Sequence, residues 1–257
     1  MRSGVSQPEQ KVRLAFIDEL RGLMMLFVCL YHFGYDLNMI FGVPMDWFWA
    51  DWPVQGGRDC AAGMMMAISG FSCTLSSSNM RRGRRTFGIA LLLSVLTFLF
   101  MPSERILFGV LHYYGVCMML WAVLDRYVKK APAKAGVVLS LMLFAFFRFL
   151  PQGDLLLPFA GRIRLPEVLY RNRWLFWLGF PHSGFFSADY YPILPWGMLF
   201  LAGGFTGVWL KEAGFPQWLY QNRSRFLAFV GRRTMAIYLL HQPVLISILW
   251  CYFRFRA

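Results

Sequence analysis

The sequence predicts an all-α membrane protein, a transmembrane bundle of about seven helical spans with its N-terminus in the cytoplasm. Hydrophobic residues make up 58% of the 257 residues, and the mean hydropathy is +0.47, well above that of soluble domains. Several apolar runs approach the ~20 residues needed to cross a bilayer. Of the 26 Lys and Arg residues, 17 fall in alternate connecting segments. Basic residues hold short loops in the cytoplasm, so this spacing predicts the orientation.

Seven apolar runs define the predicted spans. A cytoplasmic tail over residues 1–17 precedes a single transmembrane domain, 18–257. Pro102 ends the third run and Pro151 the fifth, because proline interrupts the helical hydrogen bonds. The predicted spans cover residues 18–41, 60–77, 86–101, 106–124, 134–150, 191–210 and 233–253.

Two connecting segments carry further information. A long outer loop over 151–190 contains an apolar stretch, 174–186, that we interpret as a re-entrant or interfacial helix, which would raise the span count to eight. The four arginines within 81–85 separate the second and third spans, and we interpret them as a topology signal.

Ionisable groups interrupt the first span. At 3.6 residues per turn, one stripe of this helix carries Asp18, Arg21, Met25, Cys29, His32 and Asp36. Each ionisable group inside a membrane costs roughly 2.5–3.5 kcal/mol on insertion scales, so such groups persist mainly where they line a functional site. The stripe therefore predicts a function within the membrane.

The predicted topology separates histidines from cations. His32 lies about 16 Å along the helix from Arg21, in the outer half of the membrane. His112, His182 and His241 also fall in the middle or outer half, whereas Arg21, Arg232 and Arg233 lie at inner helix ends. This polarity indicates an anionic donor bound at the cytosolic side and chemistry further out.

Other classes are disfavoured. The five cysteines have no paired spacing, so we predict neither a disulfide framework nor a metal site. The net charge of +13 is explained by the cytoplasmic loops, and we predict no nucleic-acid binding.

Four stretches in this order resemble the heparan-alpha-glucosaminide N-acetyltransferase-like membrane proteins, within the wider transmembrane acyltransferase superfamily. They cover residues 18–22 followed by His32, 108–112, 187–196 and 231–243. The resemblance implies an integral membrane enzyme that takes an acyl group, commonly acetyl, from cytosolic acyl-coenzyme A and passes it to a hydroxyl or amine of a glycan on the far side. The animal lysosomal enzymes differ in having an asparagine where His32 stands and a histidine in the following loop, which the loop 42–59 lacks.

The residue chemistry suits this reaction, because acyl transfer needs a base for the attacking group and a donor for the oxyanion. We predict His32 as general base, Asp36 as its orienter, and His112 or His241 as oxyanion donor or acceptor-binding group. Coenzyme A phosphates are assigned to the three inner arginines, Arg21, Arg232 and Arg233. The acceptor is assigned to four residues of the outer loop: His182, Asp189, Tyr190 and Tyr191. Direct transfer and an acyl-histidine intermediate both remain open.

Two alternatives belong to other classes. A proton-coupled transporter could use His32 and Asp36 as a proton relay. Transporters often consist of two similar halves, but the polar stripe is not repeated in the second half of this sequence. A non-catalytic scaffold would leave the stripe largely unexplained. The predicted partners are membrane lipids and a cell-surface glycan or small-molecule acceptor, the predicted location is the plasma membrane, and a homodimer remains open.

Overall fold

The computed structural model describes residues 13–50, 52–158 and 161–256. Its helices are α1 Ala15–Met39, α2 Asp46–Ala50, α3 Trp52–Thr74, α4 Asn79–Phe100, α5 Val110–Val128, α6 Ala133–Phe147, α7 Ile193–Ala213, α8 Arg225–Arg232 and α9 Thr234–Arg256. Two short strands, β1 Asp154–Leu157 and β2 Gly161–Arg164, pair antiparallel. The chain divides into two compact units, one formed by residues 1–46 with 215–257 and the other by 47–214.

Among the described residues, seven helices of fifteen residues or more overlap the seven predicted spans in part or in full, which confirms the all-α class but not the number of membrane crossings. Four of them are long and apolar enough to cross a membrane, namely α4, α6 with the turn that follows it, α7 and α9. The polar residues of α1, α3 and α5 lower their hydropathy, so their crossing stays a prediction, as does the cytoplasmic N-terminus. Most of the predicted tail, residues 1–12, lies outside the described residues.

The first unit is built on close contact between α1 and α8. Gly22 and Gly231 make this contact possible, because a Cβ on Gly22 would collide with the Leu227 carbonyl and one on Gly231 with the Asp18 carbonyl. Small residues let helix backbones approach in this way. The sequence did not predict α8, which lies in a segment interpreted as a basic loop. Ser224 begins it, with its Oγ accepting from the Leu227 N–H at 3.2 Å.

The buried carboxylate of Glu19 holds the backbone that immediately precedes α8. Glu19 is only 6% exposed, and its Oε1 accepts the backbone N–H groups of Arg223 at 2.5 Å and Ser224 at 2.9 Å. A buried charge needs such partners, and these hydrogen bonds join the start of α1 to the loop before α8.

The second unit pairs α3 with α7, α4 with α5, and α6 with α7. Each pair again meets at glycine: Gly70 against the Phe200 carbonyl, Gly83 against the Gly115 carbonyl, and Gly136 against the Phe205 ring. The core between these helices contains four large buried side chains, Met66, Tyr113, Trp121 and Phe200.

The long loop differs from its prediction. The hairpin of β1 and β2 was not predicted, and Arg164 lies across it, with Nη1 donating to the Gln152 carbonyl at 2.9 Å. The predicted re-entrant or interfacial helix over 174–186 is wrong. That stretch forms one 3-10 turn, Phe176–Leu178, which ends at Gly179 with φ of 125°. A left-handed φ ends helical structure, and glycine adopts it without strain.

The cluster of arginines is also organised differently from the predicted loop. Arg81, Arg82, Arg84 and Arg85 belong to the first two turns of α4 rather than to a connection. The preceding helix α3 ends at Thr74, so only residues 75–78 connect the two.

Candidate active site

Two of the predicted histidines meet in the first unit. The rings of His32 on α1 and His241 on α9 have centroids 4.8 Å apart and planes at 64°. Tyr35 and Tyr238 add aromatic rings beside this pair, at 6.5 Å from His32 and 5.5 Å from His241. The structure therefore places the catalytic candidate from the first span against the candidate from the last span.

The hydrogen bond at one nitrogen fixes the tautomer of His241. Its Nδ1 lies 2.6 Å from the Tyr238 carbonyl oxygen, which can only accept. Nδ1 therefore carries the proton, and the neutral ring has a lone pair at Nε2. This Nε2 atom is shielded from solvent and has no hydrogen-bond partner within the described part of the chain. It can accept a proton or a hydrogen bond, but it cannot donate to an oxyanion while the ring is neutral.

Asp36 is held by the residue that follows His241. Its side chain is completely buried, and its Oδ1 accepts a 2.6 Å hydrogen bond from Nε2 of Gln242. His32 and Asp36 lie one helical turn apart on α1, as the sequence indicates. The role of Asp36 as orienter of His32 stays a prediction, and the contact that the structure adds is the one to Gln242.

Gln242 is a site residue that the sequence reasoning missed. Its amide nitrogen is committed to Asp36, while its Oε1 is buried and unpartnered among the described residues. The only signal in the sequence was its position between His241 and Pro243, and an uncharged amide inside an apolar helix attracts little attention. Its partner lies 206 residues away, so local pattern could not reveal the pair.

Two acceptor atoms thus occur on neighbouring residues without donors. Buried polar atoms normally have partners, and leaving one unmet costs about 1–3 kcal/mol. Nε2 of His241 and Oε1 of Gln242 both require an O–H or N–H group. The arrangement can therefore bind an alcohol, an amine or water.

The predicted donor-binding arginines differ in their surroundings. Arg21 forms an ion pair with Asp18 at 3.1 Å, and Arg13 reaches the other oxygen of the same carboxylate at 3.3 Å. Arg232 and Arg233 are exposed, and the guanidinium of Arg233 lies 3.9 Å from the centroid of the Phe229 ring. All three arginines belong to the first unit, on α1 and at the end of α8.

His112 lies in the second unit with both ring nitrogens engaged. Nδ1 accepts the Gly109 N–H at 3.2 Å, so the neutral ring carries its proton on Nε2, which lies 3.3 Å from Oγ of Ser94. Phe87 and Phe108 pack against the ring at 5.6 and 5.7 Å. These contacts let His112 cap its own helix and link α5 to α4.

The outer-loop candidates make contacts within the second unit. Oδ2 of Asp189 accepts the Val110 N–H at 2.9 Å, which places a carboxylate at the N-terminus of α5. The hydroxyl of Tyr190 donates to the Phe176 carbonyl at 2.6 Å, and burial raises its pKa well above the ordinary value, so it remains a donor. The Tyr191 N–H donates to the Phe108 carbonyl at 3.3 Å, and Nδ1 of His182 accepts the Gly184 N–H at 3.2 Å.

Helices long and apolar enough to cross a membrane, together with a histidine whose Nε2 can accept an O–H or N–H group, fit a membrane-embedded transferase. The chain belongs to the heparan-alpha-glucosaminide N-acetyltransferase family, because the model of that family's catalytic region matches residues 13–243. The match confirms the resemblance found in the sequence and includes both histidines, Asp36 and Gln242. Comparisons with curated proteins and with solved structures give no match.

Family membership gives the coarse function. The chain is a membrane protein with the catalytic region of an acetyltransferase, which favours the enzyme over the transporter and scaffold alternatives.

Proposed function

We propose that this protein transfers an acetyl group from cytosolic acetyl-coenzyme A to a hydroxyl or amine of an extracytoplasmic glycan or other cell-surface acceptor, in the plasma membrane. The observation that carries the proposal is the pair formed by His32 and His241. Their ring centroids lie 4.8 Å apart, and Nε2 of His241 has no hydrogen-bond partner among the described residues. The family match supports acetyl transfer as the reaction class.

The two histidines receive different tasks. His32, half-buried on the polar stripe of α1, acts as general base and removes the proton of the attacking O–H or N–H group. Nε2 of His241 and Oε1 of Gln242 accept hydrogen bonds from the acceptor and hold it beside His32. The tautomer of His241 favours acceptor binding over the other role predicted for it, the oxyanion donor.

The proposed reaction is a direct transfer. The acceptor oxygen or nitrogen forms a bond to the thioester carbonyl carbon, and the carbon–sulfur bond breaks. His32 takes the proton that the acceptor loses and then returns it to the departing coenzyme A thiolate. Asp36, hydrogen-bonded to Gln242, keeps the amide of this residue oriented with Oε1 available to the acceptor.

Cations on the first unit are proposed to bind the donor. Arg21, Arg232 and Arg233 would contact the coenzyme A phosphates at the cytosolic ends of α1 and α8. Arg232 and Arg233 form no ion pair with a described residue, whereas Arg21 shares Asp18 with Arg13. The predicted topology supports this placement, since basic residues gather at inner helix ends.

The outer loop is proposed to serve the acceptor. We propose that the loop containing His182, Asp189, Tyr190 and Tyr191 contributes to acceptor binding, without a separate role for each residue. The hydrogen bonds of Asp189 and Tyr190 support a role in positioning that loop against the start of α5.

Binding and turnover of radiolabelled acetyl-coenzyme A by the purified full-length protein test the proposal. We expect saturable binding, competition by free coenzyme A, and release of label that increases when amino sugars are added. The same protein reconstituted into vesicles should show no acetyl-coenzyme A-independent proton flux. Absence of binding for several acyl chain lengths, together with such a flux, would overturn the proposal in favour of the transporter.

A further inference from the structure

A cavity in the second unit lies where α3 ends and α4 begins. Its volume is about 710 Å³, and its wall includes three consecutive serines at 76–78, the first turn of α4, and residues Asp125 and Lys129 of α5 and its end. The reaction proposed above uses none of these residues.

The charge of the wall is predominantly positive. Arg81 and Arg84 line the cavity, are exposed, and form no hydrogen bond or ion pair with any residue that the structure describes. Lys129 is neutralised by Asp125, with Nζ 2.5 Å from Oδ2. Two uncompensated guanidinium groups therefore face one space, whereas Arg82 is directed to Oδ1 of Asn79 at 3.4 Å.

Neutral donors complete the wall. The hydroxyls of Ser77 and Ser78 are exposed, and Ser78 provides no side-chain cap for α4. Asn79 holds the connection between α3 and α4, residues 75–78, in place. Its buried side-chain amide donates to the carbonyls of Cys73 at 2.7 Å and Ser76 at 3.0 Å. The shape of the cavity thus depends on hydrogen bonds that do not involve its free donors.

We propose that this cavity binds a phosphate group, carried either by an anionic lipid headgroup or by a water-soluble phosphate compound. Guanidinium groups bind phosphate oxygens through paired N–H donors, and serine hydroxyls supply further hydrogen bonds. The volume exceeds that of a single phosphate and accommodates the group to which it is attached. Arg81 and Arg84, which we interpreted from the sequence as a topology signal, would then also bind a ligand.

The test uses the full-length protein in detergent with two probes. Native mass spectrometry counts dioleoylphosphatidylglycerol molecules that remain bound, and calorimetry measures inorganic pyrophosphate. The variant is Arg81→Gln with Arg84→Gln. The matched control, Arg85→Gln with Lys130→Gln, removes the same two charges from neighbouring exposed positions outside the cavity wall.

We expect the cavity variant to bind one of the probes about tenfold more weakly and the control to bind like the wild type. Loss of lipid alone identifies a headgroup site, and loss of pyrophosphate alone identifies a site for soluble phosphate. Wild-type binding of both probes by the cavity variant, equal losses in both variants, or no binding of either probe would overturn the proposal. Acetyl transfer by the control variant reports separately on the proposed enzyme.

Discussion

Gln242 donates a 2.6 Å hydrogen bond to the fully buried carboxylate of Asp36, which joins α9 to α1 beside the histidine pair. This bond lies one residue from His241 and one turn from His32, so it joins the two helices next to the two rings. This hydrogen bond and the ring contact between His32 and His241 together connect the polar stripe of α1 to α9.

Replacing Gln242 tests that connection. Gln242→Leu should lower the free energy of unfolding by about 1–3 kcal/mol, because the buried carboxylate of Asp36 loses one hydrogen-bond donor. It should also reduce acetyl transfer. Thermal unfolding in detergent and a transfer assay measure the two effects. Ser247→Ala, at an exposed position one turn further along α9, is the control and should change stability by less than about 0.5 kcal/mol. If Gln242→Leu is as stable as the wild type, the hydrogen bond between Gln242 and Asp36 does not stabilise the fold.

The glycines between α1 and α8 should be intolerant of a methyl group. Gly22→Ala places a Cβ against the Leu227 carbonyl and should lower the free energy of unfolding by about 1–3 kcal/mol. Gly88→Ala in α4 meets no atom within 4 Å and should be neutral or stabilising by up to about 1 kcal/mol. Similar melting temperatures for both variants would show that the close contact is not required.

Arg21→Ala tests the donor side. Removing the guanidinium should weaken acetyl-coenzyme A binding about tenfold and leave kcat at saturating donor nearly unchanged. Arg13→Ala is the matched control, since it reaches the same Asp18 carboxylate from an exposed position. Equilibrium binding with labelled donor gives the comparison. Unaltered affinity in Arg21→Ala would show that the phosphates bind elsewhere.

Asp189→Ala tests whether Asp189 positions the outer loop against α5 or contacts the acceptor directly. Loss of the carboxylate at the N-terminus of α5 should lower the free energy of unfolding by about 0.5–2 kcal/mol. Asp189→Asn keeps an acceptor oxygen and should retain most of this stability. Melting temperatures and the KM for the acceptor are measured together. An unchanged melting temperature with a raised KM would favour direct contact.

The sequence was sufficient for the features that depend on local pattern. Hydropathy located the long helices, and the 3.6-residue period placed His32 and Asp36 on one face of α1. Four stretches in order, one of them around His241, carried the family resemblance. The start of α4 differs from the hydropathy boundary: this helix begins at Asn79 and includes the arginine cluster, because arginine lowers hydropathy but is a good helix former.

Features that depend on distant partners were not predictable. Glu19 resembles an ordinary helix residue until the N–H groups of Arg223 and Ser224 are brought to it. The eight-residue α8 is too short to be stable alone, and its stability comes from packing on α1, which the local sequence does not show. Likewise, only the fold shows that the nitrogens of His112 are engaged by Gly109 and Ser94, whereas Nε2 of His241 is unpartnered within the described chain.

His32 and His241 are proposed to carry out acetyl transfer together. The most direct measurement is the rate of label transfer from acetyl-coenzyme A to an amino-sugar acceptor by His32→Ala and His241→Ala, beside Leu30→Ala, whose side chain is 65% exposed on the same helix as His32. We expect the transfer rate to fall about 10²–10⁴-fold in His32→Ala, the KM for the acceptor to rise in His241→Ala, and the kinetics of Leu30→Ala to match the wild type. Wild-type turnover in His32→Ala would contradict the proposal.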